Sequence, residues 1–311
     1  ININKLKNKD SNQFRYFTKK YWKKNHIFSK DSRIFNWQYK KKNIYNFLIA
    51  WQNNNIIGAQ GFVPLNHFDK NLNKNQIFLA FCRVVEGKHI GTMIKLQEKL
   101  FKEYKPKFIA TIGLEEKIHS FHKWQGFEVK KMDHHAIFSK EFKMFKVAKF
   151  KNFEHKRKNI NKNSYLVKLN IKNINFFLKK NFYKCQLPLK SNNYIINRYL
   201  KNPFYKYDVF LILKNKKPKA LMVVRIINQK QRSVIRFVDF IGQNKFFYLT
   251  YSASLKLLHK YKAEYIDIYS YGISKKILKK SGFINRYEEK DIIIPNHFEP
   301  YQRKNYACLL R

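Results

Sequence analysis

The feature that most restricts how this chain can fold is that its second half repeats the order of its first. Phe121-His122-Lys123-Trp124-Gln125-Gly126-Phe127 returns as Ile277-Leu278-Lys279-Lys280-Ser281-Gly282-Phe283, and Tyr39 with Tyr45 returns as Tyr199 with Tyr205. The offset is 160 residues early in the repeat and 156 late. Solenoid repeats recur every 20–50 residues or so, so a period this long is a whole domain duplicated. A chain of 311 residues suits that division, since domains commonly hold about 100–150 residues. The expected boundaries are a first domain at 1–140, a basic linker at 141–164 and a second domain at 165–311.

Within each copy the apolar spacing switches between the helix and strand periods. Phe14, Phe17, Tyr21 and Trp22 form one stripe and predict a helix across 10–25, and Asp31-Ser32 caps a second reaching Tyr39. Stretches 47–51 and 56–63 read as strands of a hairpin around Asn53-Asn54-Asn55. Then follow a strand at 77–85, a turn at 87–91, a helix at 92–104 stopped by Pro106, and a strand at 108–112. A short helix at 115–124 is capped by Gly126, and strands at 127–129 and 136–138 are expected to close the first domain. The second copy predicts strands at 209–213, 220–227 and 266–268, with a helix at 248–261 between the last two. Such alternation predicts an α/β fold in which each domain is a twisted mixed sheet flanked by helices.

Charge narrows the partners. Lys and Arg total 65 against 20 Asp and Glu, a formal net charge of +45. Lys, Asn, Ile, Phe and Tyr abound while Gly (9) and Pro (7) are scarce, the profile of an AT-rich coding sequence. The field still favours anionic substrates such as nucleotides and CoA. Lysines are densest across 140–168, which reads either as a solvated linker or as a docking site for an anionic lipid or polymer. Cys82, Cys185 and Cys308 are odd in number and widely spaced, which argues against a disulfide framework or zinc ribbon and for a reducing, cytoplasmic setting. No apolar run approaches the roughly 20 residues of a membrane span, and no apolar leader core follows Ile1-Asn2-Ile3-Asn4-Lys5. The chain opens on Ile rather than Met, so a few preceding residues are expected. No nucleotide P-loop, dinucleotide fingerprint or Ser-His-Asp order occurs. His119, His122, His134 and His135 lack a well-placed third ligand, so no metal is expected.

One stretch has the makings of an anion site. A diphosphate is held by converging backbone N–H groups and the positive end of a helix, and small residues let it approach. Val84-Val85-Glu86-Gly87-Lys88-His89-Ile90-Gly91-Thr92 supplies a strand end, two glycines and a helix start. The plainer reading is an ordinary strand-to-helix turn. Together with 121–127 and the element order, the stretch resembles the GNAT-type N-acetyltransferases. Their turn after the fourth strand carries (Gln/Arg)-x-x-Gly-x-(Gly/Ala). Gly91 matches, whereas Glu86 stands where the family has Gln or Arg and His89 where it has the middle Gly. The resemblance implies two tandem GNAT-like domains and a splayed pair of parallel strands beside this turn. It also implies acetyl-CoA or another acyl-CoA as co-substrate, held by Val84, Val85, Gly87, Lys88, His89, Ile90, Gly91 and Thr92.

The family often places a tyrosine general acid four residues before the glycine of its Gly-Phe pair. This chain has His122 there. An imidazole donates protons near neutral pH, and the alternative is a helix histidine with no task. Glu115 and Glu116 are candidate bases for the attacking amine, or simply first-turn charges favourable to the helix dipole. The second copy has one glycine in its turn, Gly242, and Leu278 at the acid position, so CoA is assigned to the first. Asp239, His297 and Glu299 are then candidate acceptor contacts, although 295–301 also reads as a packed strand and turn. Trp37-Gln38-Tyr39, Phe62-Val63-Pro64 and 293–300 resemble bacterial proteins of surface-polysaccharide gene clusters. That implies a small-molecule amine acceptor, a nucleotide-activated amino sugar. Two rivals stand beside this reading: aminoacyl transfer from tRNA on the same tandem fold, and a non-catalytic basic protein that binds nucleic acid.

Overall fold

The computed structural model describes residues 1–311 apart from 23, 88–90, 115, 150–163, 185, 230, 290–291, 296–307 and 311. The chain divides into two compact units, Ile1–Ile112 with Lys201–Phe204, and Gly113–Leu200 with Tyr205–Arg311.

The first unit runs β1 (Asn2–Lys7), α1 (Ser11–Tyr21), α2 (Ile27–Lys30), α3 (Ser32–Tyr39), β2 (Lys40–Lys41), β3 (Ile44–Gln52), β4 (Asn55–Pro64), β5 (Gln76–Val84), α4 (Thr92–Tyr104) and β6 (Phe108–Ala110). Its sheet has the order β1-β3-β4-β5-β6, with β2 on β3, and only β5 and β6 are parallel. Local chemistry sets the boundaries. Asp31 Oδ1 accepts from Arg33 N at 2.8 Å and caps α3. Asn53 and Asn54 turn the β3–β4 hairpin with φ of 47° and 60°, a conformation Asn tolerates.

Both faces of this sheet are covered. On one, α4 lays Leu96 and Leu100 against Leu48, Ala50, Ile57, Phe62, Ile77 and Leu79. Each fully buried leucine contributes about 1.5–3 kcal/mol, enough for two of them to seat a helix. On the other, the Phe14 ring meets Phe47 at 4.8 Å, Phe35 at 5.3 Å and Phe81 at 5.6 Å. Leu79 and Phe81 are two residues apart yet serve opposite faces. The β4–β5 register slips between Gly61↔Phe81 and Phe62↔Leu79, so Ala80 is a bulge that reverses the strand's facing. Gly61 lets Phe47 lie close, since a Cβ there would stand 2.4 Å from the ring.

The second unit runs α5 (His119–Trp124), β7 (Lys130–Phe138), β8 (Ser164–Leu169), α6 (Ile174–Phe177), α7 (Asn192–Ile195), β9 (Asp208–Lys214), β10 (Lys217–Gln229), β11 (Arg232–Gly242), α8 (Thr250–Lys260), β12 (Ala263–Ser270), α9 (Lys275–Lys280), β13 (Ile284–Asn285) and β14 (Cys308–Leu310). The sheet order is β13-β7-β12-β11-β10-β9-β8, with β14 also on β7. A bulge recurs at Val238 in β11, where Val223↔Asp239 is followed by Val224↔Phe237.

Two strands depart from the sequence expectation. Residues 127–129 form no strand, and β7, expected to close the first domain, lies in the second sheet. It pairs antiparallel with β12 from Phe138↔Tyr265 to Asp133↔Ser270. Its apolar residues find partners on both faces of that sheet. Ala136 and Phe138 pack with Val234, Tyr265 and Ile294, while Ile137 packs with Ile235, Ile266 and Leu278. A buried bond from His134 to Asp267 on β12 adds a partner that the first sheet does not offer. The compact units therefore part between Ile112 and Gly113, while the repeat in the sequence runs on to residue 140.

Candidate active site

The opening lies in the first unit, where its two parallel strands separate. β5 and β6 pair only at Gln76↔Phe108, Ile77↔Ile109 and Phe78↔Ala110. Thr111 Oγ1 adds one bond to Leu79 O at 2.8 Å. From there to Val84 that edge of β5 has no partner strand among the described residues. The other edge stays on β4, and Val85 N donates to Ile57 O at 2.9 Å. N–H directions alternate along a strand, so with Val85 N–H committed to β4, Val84 N–H faces the open edge.

The turn that follows is shaped for an anion. Gly87 and Gly91 have φ of +97° and +81°, and a Cβ on either would meet nothing within 4 Å. The backbone is left-handed, and among the described residues the space beyond it is open. α4 starts without a side-chain cap and without an acidic residue in its first turn. Its first helical bond is Lys95 N to Gly91 O at 3.0 Å, so the N–H groups ahead of Lys95 point toward the turn. Thr92 is fully buried, and its Oγ1 has no partner among the described residues. Glu86 is held by Arg83 at 3.3 Å and is 79% exposed, which directs its carboxylate to solvent. These groups fit a diphosphate at the helix end. Lys88, His89 and Ile90 lie outside the described residues. On the α1 side, a cleft of about 450 Å³ ends at Val85 and is lined by Tyr16, Lys20, Tyr21, Gln52 and Asn55 among others.

His122 belongs to the second unit, in the last turn of α5. The helix ends as the sequence predicts: Gly126 N donates to Lys123 O at 2.9 Å and Phe127 N to His122 O at 3.0 Å. His122 is 2% exposed, its Nδ1 lies 3.2 Å from Gln125 Oε1, and Phe127 meets the ring edge-on. Glu116 is exposed in the turn before α5, and Glu115 lies outside the described residues.

Asp239 stands on β11 and accepts from Tyr199 OH at 2.7 Å, with Lys190 Nζ at 3.5 Å. Burial would lower the Lys190 pKa, but Asp239 and Tyr194 outweigh it and hold the ammonium above its ordinary value. Burial, with the Asp239 charge adding to it, raises the Tyr199 hydroxyl well above its usual range. His297 and Glu299 lie outside the described residues.

Sequence reasoning missed a buried network in the second sheet. His134 Nε2 meets Asp267 Oδ2 at 2.8 Å, and Arg236 ion-pairs with the same oxygen. All three side chains are fully buried. The signal was present as charges inside apolar runs, in Val234-Ile235-Arg236-Phe237 and Ile266-Asp267-Ile268. Burial lowers the His134 imidazole against the pull of Asp267, and pushes neighbouring His135 down to about 4. Among the described residues no cluster of three or more His, Cys, Asp or Glu could hold a metal ion.

No protein-family model matches the chain, and neither does any curated protein. Solved structures do. A GCN5-related N-acetyltransferase from Anabaena variabilis is 14% identical, matches all of this chain and 72% of its own, and superposes with a TM-score of 0.58. Another from Kribbella flavida is 7% identical, matches all of this chain and 70% of its own, with a TM-score of 0.50. At such identity the likeness establishes the fold: the chain has the α/β architecture of GCN5-related N-acetyltransferases, with two mixed sheets flanked by helices.

Proposed function

We propose that the protein transfers an acyl group from acetyl-CoA or another acyl-CoA to an amine on a small molecule, a nucleotide-activated amino sugar. The observation that carries this reading is the β5–α4 turn. Among the described residues, two left-handed glycines open onto empty space at an uncapped helix end, beside a strand whose outer edge has no partner. Bound acyl-CoA supplies the activated thioester. The chain's part is to hold its diphosphate at Gly87–Thr92 and to polarise the acyl carbonyl with Val84 N–H, a preorganised donor that needs no reorientation. The cleft ending at Val85 is proposed to align the amine, which contributes through proximity. His122 is proposed to protonate the departing thiolate, with Glu115 or Glu116 taking the proton of the amine. Asp239, His297 and Glu299 are retained as proposed acceptor contacts.

Calorimetry with acetyl-CoA tests the reading, followed by an acceptor screen using nucleotide-linked amino sugars. Saturable binding is expected, weakened at least tenfold or so in Gly91→Asp by charge repulsion at the diphosphate. Gly242→Asp is expected to spare affinity and cost stability, because a Cβ there would lie 2.8 Å from Lys219 O. If the affinity falls with Gly242→Asp and not with Gly91→Asp, the site belongs to the other half.

A further inference from the structure

Between Glu154 and Asp208 the sequence holds no acidic residue, while eleven lysines and two arginines fall in the same interval. The described part of this stretch carries a second anomaly. In the single-turn helix α6, Ile174 is fully buried, but Phe176 is 82% exposed. Leu187 is 77% exposed and Ile171 48%. Single exposed apolar side chains are ordinary, but three in one short cationic segment ask for a partner.

The segment is built, not loose. The Asn192 carboxamide gathers it, donating from Nδ2 to Asn175 Oδ1 and Leu178 O, each at 2.9 Å. Its Oδ1 accepts from Tyr183 OH at 2.6 Å. Gln186, next to Leu187, donates to Gly242 O at 2.9 Å. Phe176 and Leu187 are thus presented from an anchored backbone, and Lys172, Lys179 and Lys184 are exposed alongside them.

We infer that this segment docks the protein on an anionic lipid bilayer, with Ile171, Phe176 and Leu187 entering the headgroup boundary and the lysines meeting lipid phosphates. The mixture of groups selects the partner. A nucleic acid would be met by the lysines and could stack on Phe176, but it would leave Leu187 and Ile171 in water. A bilayer takes up both, apolar side chains at its boundary and cations at its negative surface. None of these residues belongs to the proposed acyl-transfer site, so the two readings stand or fall separately.

The full chain is sedimented with vesicles of phosphatidylcholine alone, or of equal parts phosphatidylcholine and phosphatidylglycerol. Binding to the mixed vesicles is expected, weakened by salt and much weaker to the neutral ones. The double variant Phe176→Ser/Leu187→Ser is expected to lose partitioning by about tenfold or more. Lys172→Gln, Lys179→Gln and Lys184→Gln should each lose about fivefold. Unchanged circular dichroism and thermal midpoints establish that the variants fold. The inference is overturned if the wild type ignores the mixed vesicles at low salt, or if the Phe176→Ser/Leu187→Ser variant binds them as tightly as the wild type. It is equally overturned if single-stranded DNA binds with a dependence on the lysines while the apolar residues leave vesicle binding unchanged.

Discussion

Gly91 and Gly242 occupy the turns that lead into α4 and α8, one in each half, and they do opposite things. A Cβ on Gly91 would meet no described atom within 4 Å, whereas one on Gly242 would strike Lys219 O at 2.8 Å and Ala220 Cβ at 3.0 Å. The threonines that open the two helices differ in the same sense. Both are fully buried, but Thr250 Oγ1 donates to Phe247 O at 2.7 Å, while Thr92 Oγ1 meets no described partner. The two Gly-Phe corners diverge as well: position 122 is a histidine bonded to Gln125, and position 278 is a leucine in the core. In the second half, backbone and side chains fill the turn. The first keeps donors exposed to a space that no described residue of its own unit fills. A duplicated fold can turn one copy into packing while the other keeps an opening, and glycine contacts distinguish the two better than glycine counts do.

The largest expected effect tests the corners. His122→Phe removes the proposed proton donor but keeps a ring, and turnover should fall by ~10²–10⁴-fold. Acetyl-CoA affinity measured by calorimetry should change little. If His122→Leu, the residue of the second half, retains full turnover, position 122 is packing like position 278 and the contrast there disappears. Next come the glycines of the same corners. At Gly282 a Cβ would lie 2.4 Å from the Tyr251 ring, whereas at Gly126 it would meet nothing within 4 Å. Gly282→Ala should therefore cost about 2–4 kcal/mol by strain and overpacking, and Gly126→Ala only about 1 kcal/mol for its left-handed backbone. Equal losses in urea denaturation would show that the two corners are packed alike. The smallest effect concerns the threonines. Thr250→Val gives up a buried hydrogen bond and should cost about 1 kcal/mol. Thr92→Val, which removes an unpartnered hydroxyl, should leave stability within a few tenths of a kcal/mol. Thermal denaturation of the pair reads this directly.

Much of this was legible in the sequence where local chemistry sets the outcome. α4 begins at Thr92 and ends at Tyr104, where the apolar stripe and Pro106 place it, and the Gly126 and Gly282 corners share one bonding pattern. Reading failed where long-range packing decides. Arg232, Arg236 and Asp239 obscured β11, because a buried Arg236 becomes tolerable only once Asp267 lies beside it on β12. The bulges at Ala80 and Val238 break the period-two pattern and leave no trace in composition. Gly87 and Gly91 could be named from their spacing, but the open space over them could not. Likewise His122 could be named, whereas its burial against Phe127 depends on how α5 packs.

The placement of β7 has a consequence in time. His134 and Asp267 are 133 positions apart, yet they pair on adjacent strands of one sheet. At translation speeds of roughly 5–20 residues per second, β12 leaves the ribosome about 7–27 s after β7. Through that interval a strand with apolar residues on both faces waits without its neighbours. The nascent chain must be shielded from aggregation until the second repeat is made, so the order of synthesis runs ahead of the order of assembly.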